Sequence, residues 1–211
     1  YHAIEFCGGF HSGDHLGAGK VFAIELRTYL HEQLEQFEKD GKLMMGVCNG
    51  YQMMVKYPML PEFGGEQRIA LTSNASGRFQ DRWVWMKFNP NSPCVFTRGV
   101  DVLYVPIRHG EGRFIVEQQS VLRNLIDNDQ IVARYATPDG QIASEFPYNP
   151  NGSMDGIAGI CNKTGRSFGW FGHSEAYNHF VNHPNWAREK EILKRVGLPI
   201  PEEGQGLVIR R

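Results

Sequence analysis

Net charge is almost absent from this 211-residue sequence: 22 Lys and Arg stand against 23 Asp and Glu, leaving a formal −1. The basic residues are scattered, so no clustered face is set out for nucleic acid. Long apolar runs are missing too. The longest, around Leu43 to Val47, is far short of the roughly 20 residues that span a bilayer. Cysteine is scarce, with four residues at 7, 48, 94 and 161 and no Cys-x-x-Cys spacing, which argues against a zinc ribbon or a redox dithiol. So few cysteines suit a reducing cytoplasm better than a disulfide scaffold. Internal repeats, low-complexity tracts and a targeting segment are not found.

What is present is an ordinary globular composition, 41% hydrophobic and 21% charged, in a length that fits one domain with a substantial core. The chain starts at Tyr1 and runs at once into the strand pattern Ala3-Ile4-Glu5-Phe6. It is therefore expected to lack its natural beginning, lost or carried on another polypeptide. The strand ends in the loop Cys7-Gly8-Gly9-Phe10. Beyond Gly13, Gly17 and Gly19, the residues Phe22, Leu26, Leu30, Leu34 and Phe37 recur at helical steps, and Gly41 closes the pattern as a C-cap. Leu43 to Val47 reads as a buried strand and Asn49 to Tyr57 as a helix stopped by Pro58. Strand, helix, strand, helix predicts a parallel α/β sheet.

The middle of the chain reads differently. Strands are predicted at Trp83–Phe88, Val102–Ile107, Arg113–Val116 and Ile131–Tyr135, with a short helix at Val121–Ile126. Ile157–Cys161 and Ser167–Phe171 read as a hairpin around Lys163-Thr164-Gly165. A helix from Asn185 to Val196 follows Pro184 and stops at Gly197. The last dozen residues read as an extended tail.

Gly46-Val47-Cys48-Asn49-Gly50-Tyr51-Gln52 carries the strongest chemical signal. A strand, a sharp turn bearing cysteine and a helix make a cysteine version of the nucleophile elbow. The thiol sits at a helix N-terminus, where unpaired amides and the helix dipole favour thiolate, and the Asn49 amide can face an oxyanion. A buried structural cysteine is the competing reading. A nucleophile needs a base and the base an orienter. His173-Ser174-Glu175 offers both, because positions i and i+2 of an extended segment share a side. A surface His-x-Glu pair is its competing reading.

Other candidates are weaker. His179 and His183 are four apart, but no third metal ligand is evident. No Gly-Lys-Ser/Thr follows Gly13, Gly17 and Gly19, so no phosphate fingerprint is present. The loop from Arg108 to Arg113 is charged and glycine-hinged, and spacing alone leaves a solvated hairpin tip open.

Taken together, the elbow and the distant His173-x-Glu175 resemble class I glutamine amidotransferase domains. Within that superfamily, the branch that serves phosphoribosylformylglycinamidine synthase is the most similar. The segments that carry this are Gly8-Gly9-Phe10 with Gly13-Asp14, Ser76-Gly77-Arg78-Phe79 with Arg82, His109-Gly110-Glu111-Gly112-Arg113-Phe114, and Asn149 to Ser153 leading to Ile157–Ile160. The resemblance spans nearly all of the chain. It implies a flavodoxin-like, doubly wound α/β fold with a mostly parallel sheet and added β-hairpins, lacking the first βαβ unit, so that residues 1–211 form an amino-terminally incomplete glutaminase domain. It also implies that Cys48 forms a thioester with glutamine, His173 moves protons and Glu175 orients His173. Gly9 and Asn49 amides would form the oxyanion hole, with Phe10 and Gln52 lining the glutamine site. No cofactor is expected in this chain. ATP and magnesium would belong to a synthetase partner that receives the ammonia and uses formylglycinamide ribonucleotide. The family's Met-Pro-His-Pro-Glu reads Phe171-Gly172-His173-Ser174-Glu175 here, so two stiffening prolines are missing, and the family's frequent Ser-Tyr-Gly-Asp reads His11-Ser12-Gly13-Asp14. Two other readings stay open: a structural subunit without turnover, and another cysteine hydrolase of the same fold, against which Gln52 and the His109–Phe114 loop argue.

Overall fold

A computed structural model describes residues 1–209. Leu43–Val47 (β2) is buried over four of its five residues and pairs in parallel with Ala3–Phe6 (β1) on one side. On its other side it pairs in parallel with Ser167–Trp170 (β9). A strand covered on both faces needs a continuous apolar run, and Leu-Met-Met-Gly-Val supplies it. Between β1 and β2 runs the helix Lys20–Lys39 (α1). It ends where Gly41 and Lys42 donate back to Glu38 and Phe37, the paired bonds of a Schellman stop. Ala23 and Leu34 are its buried positions, and Phe22, Leu26 and Phe37 pack at the core margin. Leu30, expected in the same stripe, is instead exposed, because its φ of −131° interrupts the helix there.

The helix Asn49–Lys56 (α2) follows β2 and is buried from Asn49 to Val55. Next come Ile69–Thr72 (β3), Gln80–Phe88 (β4), Val102–His109 (β5), Arg113–Val116 (β6) and the helix Gln119–Asp127 (α3). Ile131–Ala136 (β7), Ile157–Cys161 (β8) and β9 complete the strands, and the surface helix Trp186–Arg195 (α4) follows. The order in the main sheet is β1-β2-β9-β8-β7-β4-β5, while β3 and β6 form a separate antiparallel ribbon. Pairing is parallel across β1-β2-β9 and antiparallel from β9 to β5. Five of the seven strands therefore run one way, with β8 and β4 reversed. This is the flavodoxin-like α/β class with added hairpins. β8 and β9 form the expected hairpin, with the Asn162 side chain accepting from Thr164, Arg166 and Ser167 across the turn.

Three elements differ from expectation. Strand β3 was not foreseen, and β4 starts three residues early at Gln80, where the polar Gln80-Asp81-Arg82 pairs with Ile107 to His109. The tail is not extended throughout: Gln205–Ile209 forms a 3-10 turn whose Ile209 is buried in the core. Residues 210 and 211 of that tail lie outside the described residues. Among the described residues no helix is long and apolar enough to cross a membrane.

The sheet curls. With about 4.8 Å between neighbouring strands, β5 would lie roughly 24 Å from β2 in a flat sheet. Yet the Cys48 Sγ, at the end of β2, is 3.2 Å from the Arg108 carbonyl of β5. Curling brings the C-terminal ends of β2, β9 and β5 together. There the site forms.

Candidate active site

The elbow is sharp. Cys48 has φ 52° and ψ −106°, a conformation that costs a non-glycine residue about 1–3 kcal/mol and clusters at functional sites. Its N–H donates to the Trp170 carbonyl at 3.0 Å, pinning the turn to β9. Gly50 lets α2 approach β1: a β-carbon there would fall 1.9 Å from the Phe6 carbonyl oxygen. Asn49 opens α2, so its N–H has no acceptor within the helix. Among the four cysteines Cys7 is exposed, while Cys94 and Cys161 lie buried in the core.

β9 leads directly to His173, whose N–H donates to the Pro106 carbonyl of β5 at 2.8 Å. Glu175 does meet His173, but not through an extended segment. Residues Ser174–Ala176 form a 3-10 turn, which carries the Glu175 carboxylate back onto His173 Nδ1. Nε2 is left buried with no hydrogen-bond partner among the described residues, and the ring lies near enough to Cys48 to feel its charge. The two side chains meet over Gly8: a β-carbon on Gly8 would lie 3.0 Å from His173 Cε1 and 3.4 Å from Cys48 Cβ. Burial pulls the imidazole's pKa down, but contact with Cys48 and Glu175 outweighs it and raises the value to about 9. The tail braces this loop. Gly204 donates to the Asn178 carbonyl at 2.8 Å, Gly206 to that of Tyr177 at 3.0 Å, and Phe180 donates to Glu202 at 3.1 Å.

The other expected site residues fall in two groups. Gly9 and Phe10 are exposed at the mouth, where the Phe10 ring lies 6.0 Å from that of Phe79. Asn49 and Gln52 are buried and joined, the Asn49 amide donating to Gln52 Oε1 at 3.1 Å. Gln52 Nε2 donates to the Glu111 carbonyl at 2.6 Å, so both ends of its amide are engaged within the protein. Asp14 accepts from Asn49 Nδ2 and from the Gly19 N–H, tying the loop before α1 to the elbow helix. The Glu111 carboxylate accepts from the Ala18 N–H, and Lys56 donates to the Ala18 carbonyl. His11 points away, toward Glu25 and the Phe22 ring.

His109 is buried, and both of its ring nitrogens are occupied. Burial, then the charge of His173, pushes its pKa down to about 3, so it stays neutral. His179 and His183 share no helix face, since Phe180–Asn182 is a single 3-10 turn, and the His183 ring packs among Trp83, Tyr104 and Tyr177. No metal-ligating cluster occurs among the described residues. Sequence reasoning missed Asn74, Tyr135 and the carbonyls of Arg108 and Glu111; only the glycine-hinged loop from Arg108 to Arg113 hinted at them.

The chain is similar to known proteins in sequence and in fold. The sequence pattern of the CobB/CobQ-like glutamine amidotransferase domain matches residues 1–199. The phosphoribosylformylglycinamidine synthase subunit PurQ of Methanococcus maripaludis is 44% identical over 206 residues, covering 96% of this chain and 75% of that protein. The subunit of the same name from Dehalococcoides mccartyi is 40% identical over 210 residues, covering 99% of this chain and 77% of its own length. Among solved structures, PurLQS from Thermotoga maritima superposes with a TM-score of 0.65 at 27% identity, covering 93% of this chain and 80% of that chain. The chain belongs to the CobB/CobQ-like glutamine amidotransferase domain family.

Proposed function

We propose that this chain hydrolyses glutamine to glutamate and ammonia in the cytoplasm, and passes the ammonia to a synthetase partner that makes formylglycinamidine ribonucleotide. The observation that carries the reading is the Cys48 elbow with the His173–Glu175 pair turned onto it. The purine-synthetic assignment rests on the relatives named PurQ.

In this scheme the Cys48 thiolate attacks the carboxamide carbon of glutamine. The N–H groups of Gly9 and Asn49 receive the oxyanion, a kind of stabilisation worth about 10²–10³ in rate per donor. The His173 imidazolium gives its proton to the departing nitrogen, which leaves as ammonia, and a thioester remains. Neutral His173 then takes a proton from water as it attacks the thioester, releasing glutamate and restoring the Cys48 thiolate beside the His173 imidazolium. Glu175 holds the ring through Nδ1 and supports its positive charge. Gln52 acts on the glutamine site by holding Asn49 and the Glu111 loop, and Phe10 guards the mouth. ATP and magnesium serve the partner, and this chain needs no cofactor for the hydrolysis itself.

The test is glutamate release from glutamine, measured with the chain alone and with the synthetase, its nucleotide substrate and ATP. Release that rises when the partner docks and vanishes in Cys48→Ala supports the reading. Release that survives Cys48→Ala overturns it.

A further inference from the structure

The end of β5 and the loop that joins it to β6 touch three parts of the site through their backbone. The carbonyl of Pro106 accepts from the His173 N–H at 2.8 Å, that of Arg108 from the Cys48 thiol at 3.2 Å, and that of Glu111 from Gln52 at 2.6 Å. A loop this short and glycine-rich, with Gly110 and Gly112, has no stiffness of its own. Its rigidity has to come from what grips it.

The grip is a buried polar chain with one consistent direction of donation. Asn151 Nδ2 donates to the Tyr135 hydroxyl at 3.0 Å, and that hydroxyl can donate only onward, to His109 Nε2 at 3.4 Å. The ring must then carry its proton on Nδ1, which donates to Asn74 Oδ1 at 3.2 Å. Asn74 Oδ1 also accepts from the Gly112 N–H at 3.1 Å, while Asn74 Nδ2 donates to the His109 carbonyl at 2.9 Å. Asn151 and Ser153 both donate to the Gly112 carbonyl, and the Phe114 N–H closes on Ser153. The His109 ring also lies 4.4 Å from that of Phe171, two residues before His173. A buried chain this fully paired is rigid, and stranding one member in the interior is costly.

We propose that His109 and Tyr135 are positioning residues of the amide-hydrolysing centre. With Asn74 and Asn151 they lock the end of β5 and the loop as far as Gly112, so that the Arg108 backbone sits against Cys48 while the Pro106 and Glu111 carbonyls hold the His173 backbone and Gln52 in register. This inference rests on the glutaminase reading and assigns a role to two segments that the chemistry itself leaves unused, His109–Phe114 and Asn149–Ser153. His109 does so as a neutral ring. A second imidazolium beside that of His173 would repel it, and the burial of His109 keeps its charge away.

The experiment uses the complete complex, with glutamine hydrolysis, ammonia-dependent synthesis and melting followed in parallel. Tyr135→Phe keeps the ring and removes only the hydroxyl, so it should fold. A displaced nucleophile loses rate steeply, so kcat for glutamine hydrolysis should fall about tenfold or more, with KM shifted less than about threefold. Ammonia-dependent synthesis should be unchanged. His109→Asn, which can still donate toward Asn74, should recover part of the activity lost in His109→Ala. In ¹⁵N spectra of histidine-labelled protein, one ring should be neutral with its proton on Nδ1, the less common tautomer in free histidine. Full kcat in both Tyr135→Phe and His109→Ala, or a His109 ring protonated on Nε2, overturns the inference while hydrolysis by the unmodified complex leaves the glutaminase reading standing. An unmodified complex that releases no glutamate overturns that reading, and this inference with it.

Discussion

Gly206 lies so close to Ser174 that a β-carbon on it would sit 2.0 Å from the Ser174 carbonyl oxygen. The tail therefore crosses the His173–Glu175 loop in backbone contact, with Gly204 and Gly206 donating to the Asn178 and Tyr177 carbonyls just after it. Relatives in the superfamily stiffen this loop with two prolines flanking the histidine. Here Gly172 and Ser174 take those places, and the tail packs against the loop from outside.

Gly206→Val is expected to lift the tail away, because the approach leaves no room for a side chain. Glutamine hydrolysis should fall by about tenfold or more, since a misplacement near 1 Å can cost a hundredfold. Circular dichroism should show the sheet intact. Unchanged kinetics in a folded Gly206→Val protein would mean that the loop holds its shape without the tail.

The pH dependence follows from His173. Its pKa is raised from 6.5 to about 9, so the imidazolium that the proposed scheme uses to protonate the departing nitrogen persists through neutral pH. Hydrolysis should fall as pH rises through about 9. Glu175 is one of the groups that raise the value, so Glu175→Gln should move the alkaline limb to lower pH. The same sign holds for stability. The contribution of the charged ring is fully present below about 6.5 and is lost as pH climbs through about 9. Rate profiles and melting curves across that range check both statements.

The two members of the pair should differ in weight. A positioned acid–base group contributes about 10²–10⁴ in rate, and an orienting carboxylate acts only through it. His173→Ala should nearly abolish glutamine hydrolysis, and Glu175→Gln should leave a measurable remainder. Both should still support synthesis from added ammonia in the complex, since that route bypasses the thioester. Loss of the ammonia route in both would show that the loop serves the partner or the fold instead.

Much of this was legible in the residues where the causes are local. The β2–Cys48–α2 elbow follows from an apolar run, a turn flanked by glycines and a helix pattern, all within about a dozen positions. The β8–β9 hairpin was legible for the same reason. Strand β3 was not, because its four residues are defined by pairing with β6 more than forty positions away. The early start of β4 was hidden by Gln80, Asp81 and Arg82, polar residues that form a strand only because β5 is there to pair with them. The Glu175–His173 contact was foreseen, but a 3-10 turn makes it where an extended segment was expected. The brace by the tail and the chain through His109 were invisible, since each joins residues that only the curled sheet brings together.

The central claim is tested most directly by covalent capture. A glutamine-mimicking diazo-ketone, incubated with the chain in its synthetase complex, should modify Cys48 and abolish glutamine hydrolysis while leaving synthesis from ammonia intact. Peptide mapping should find the exposed Cys7 and the buried Cys94 and Cys161 unmodified, and glutamine should protect Cys48 in proportion to its concentration. Inactivation with the label on Cys7, Cys94 or Cys161 and with Cys48 untouched would contradict the account.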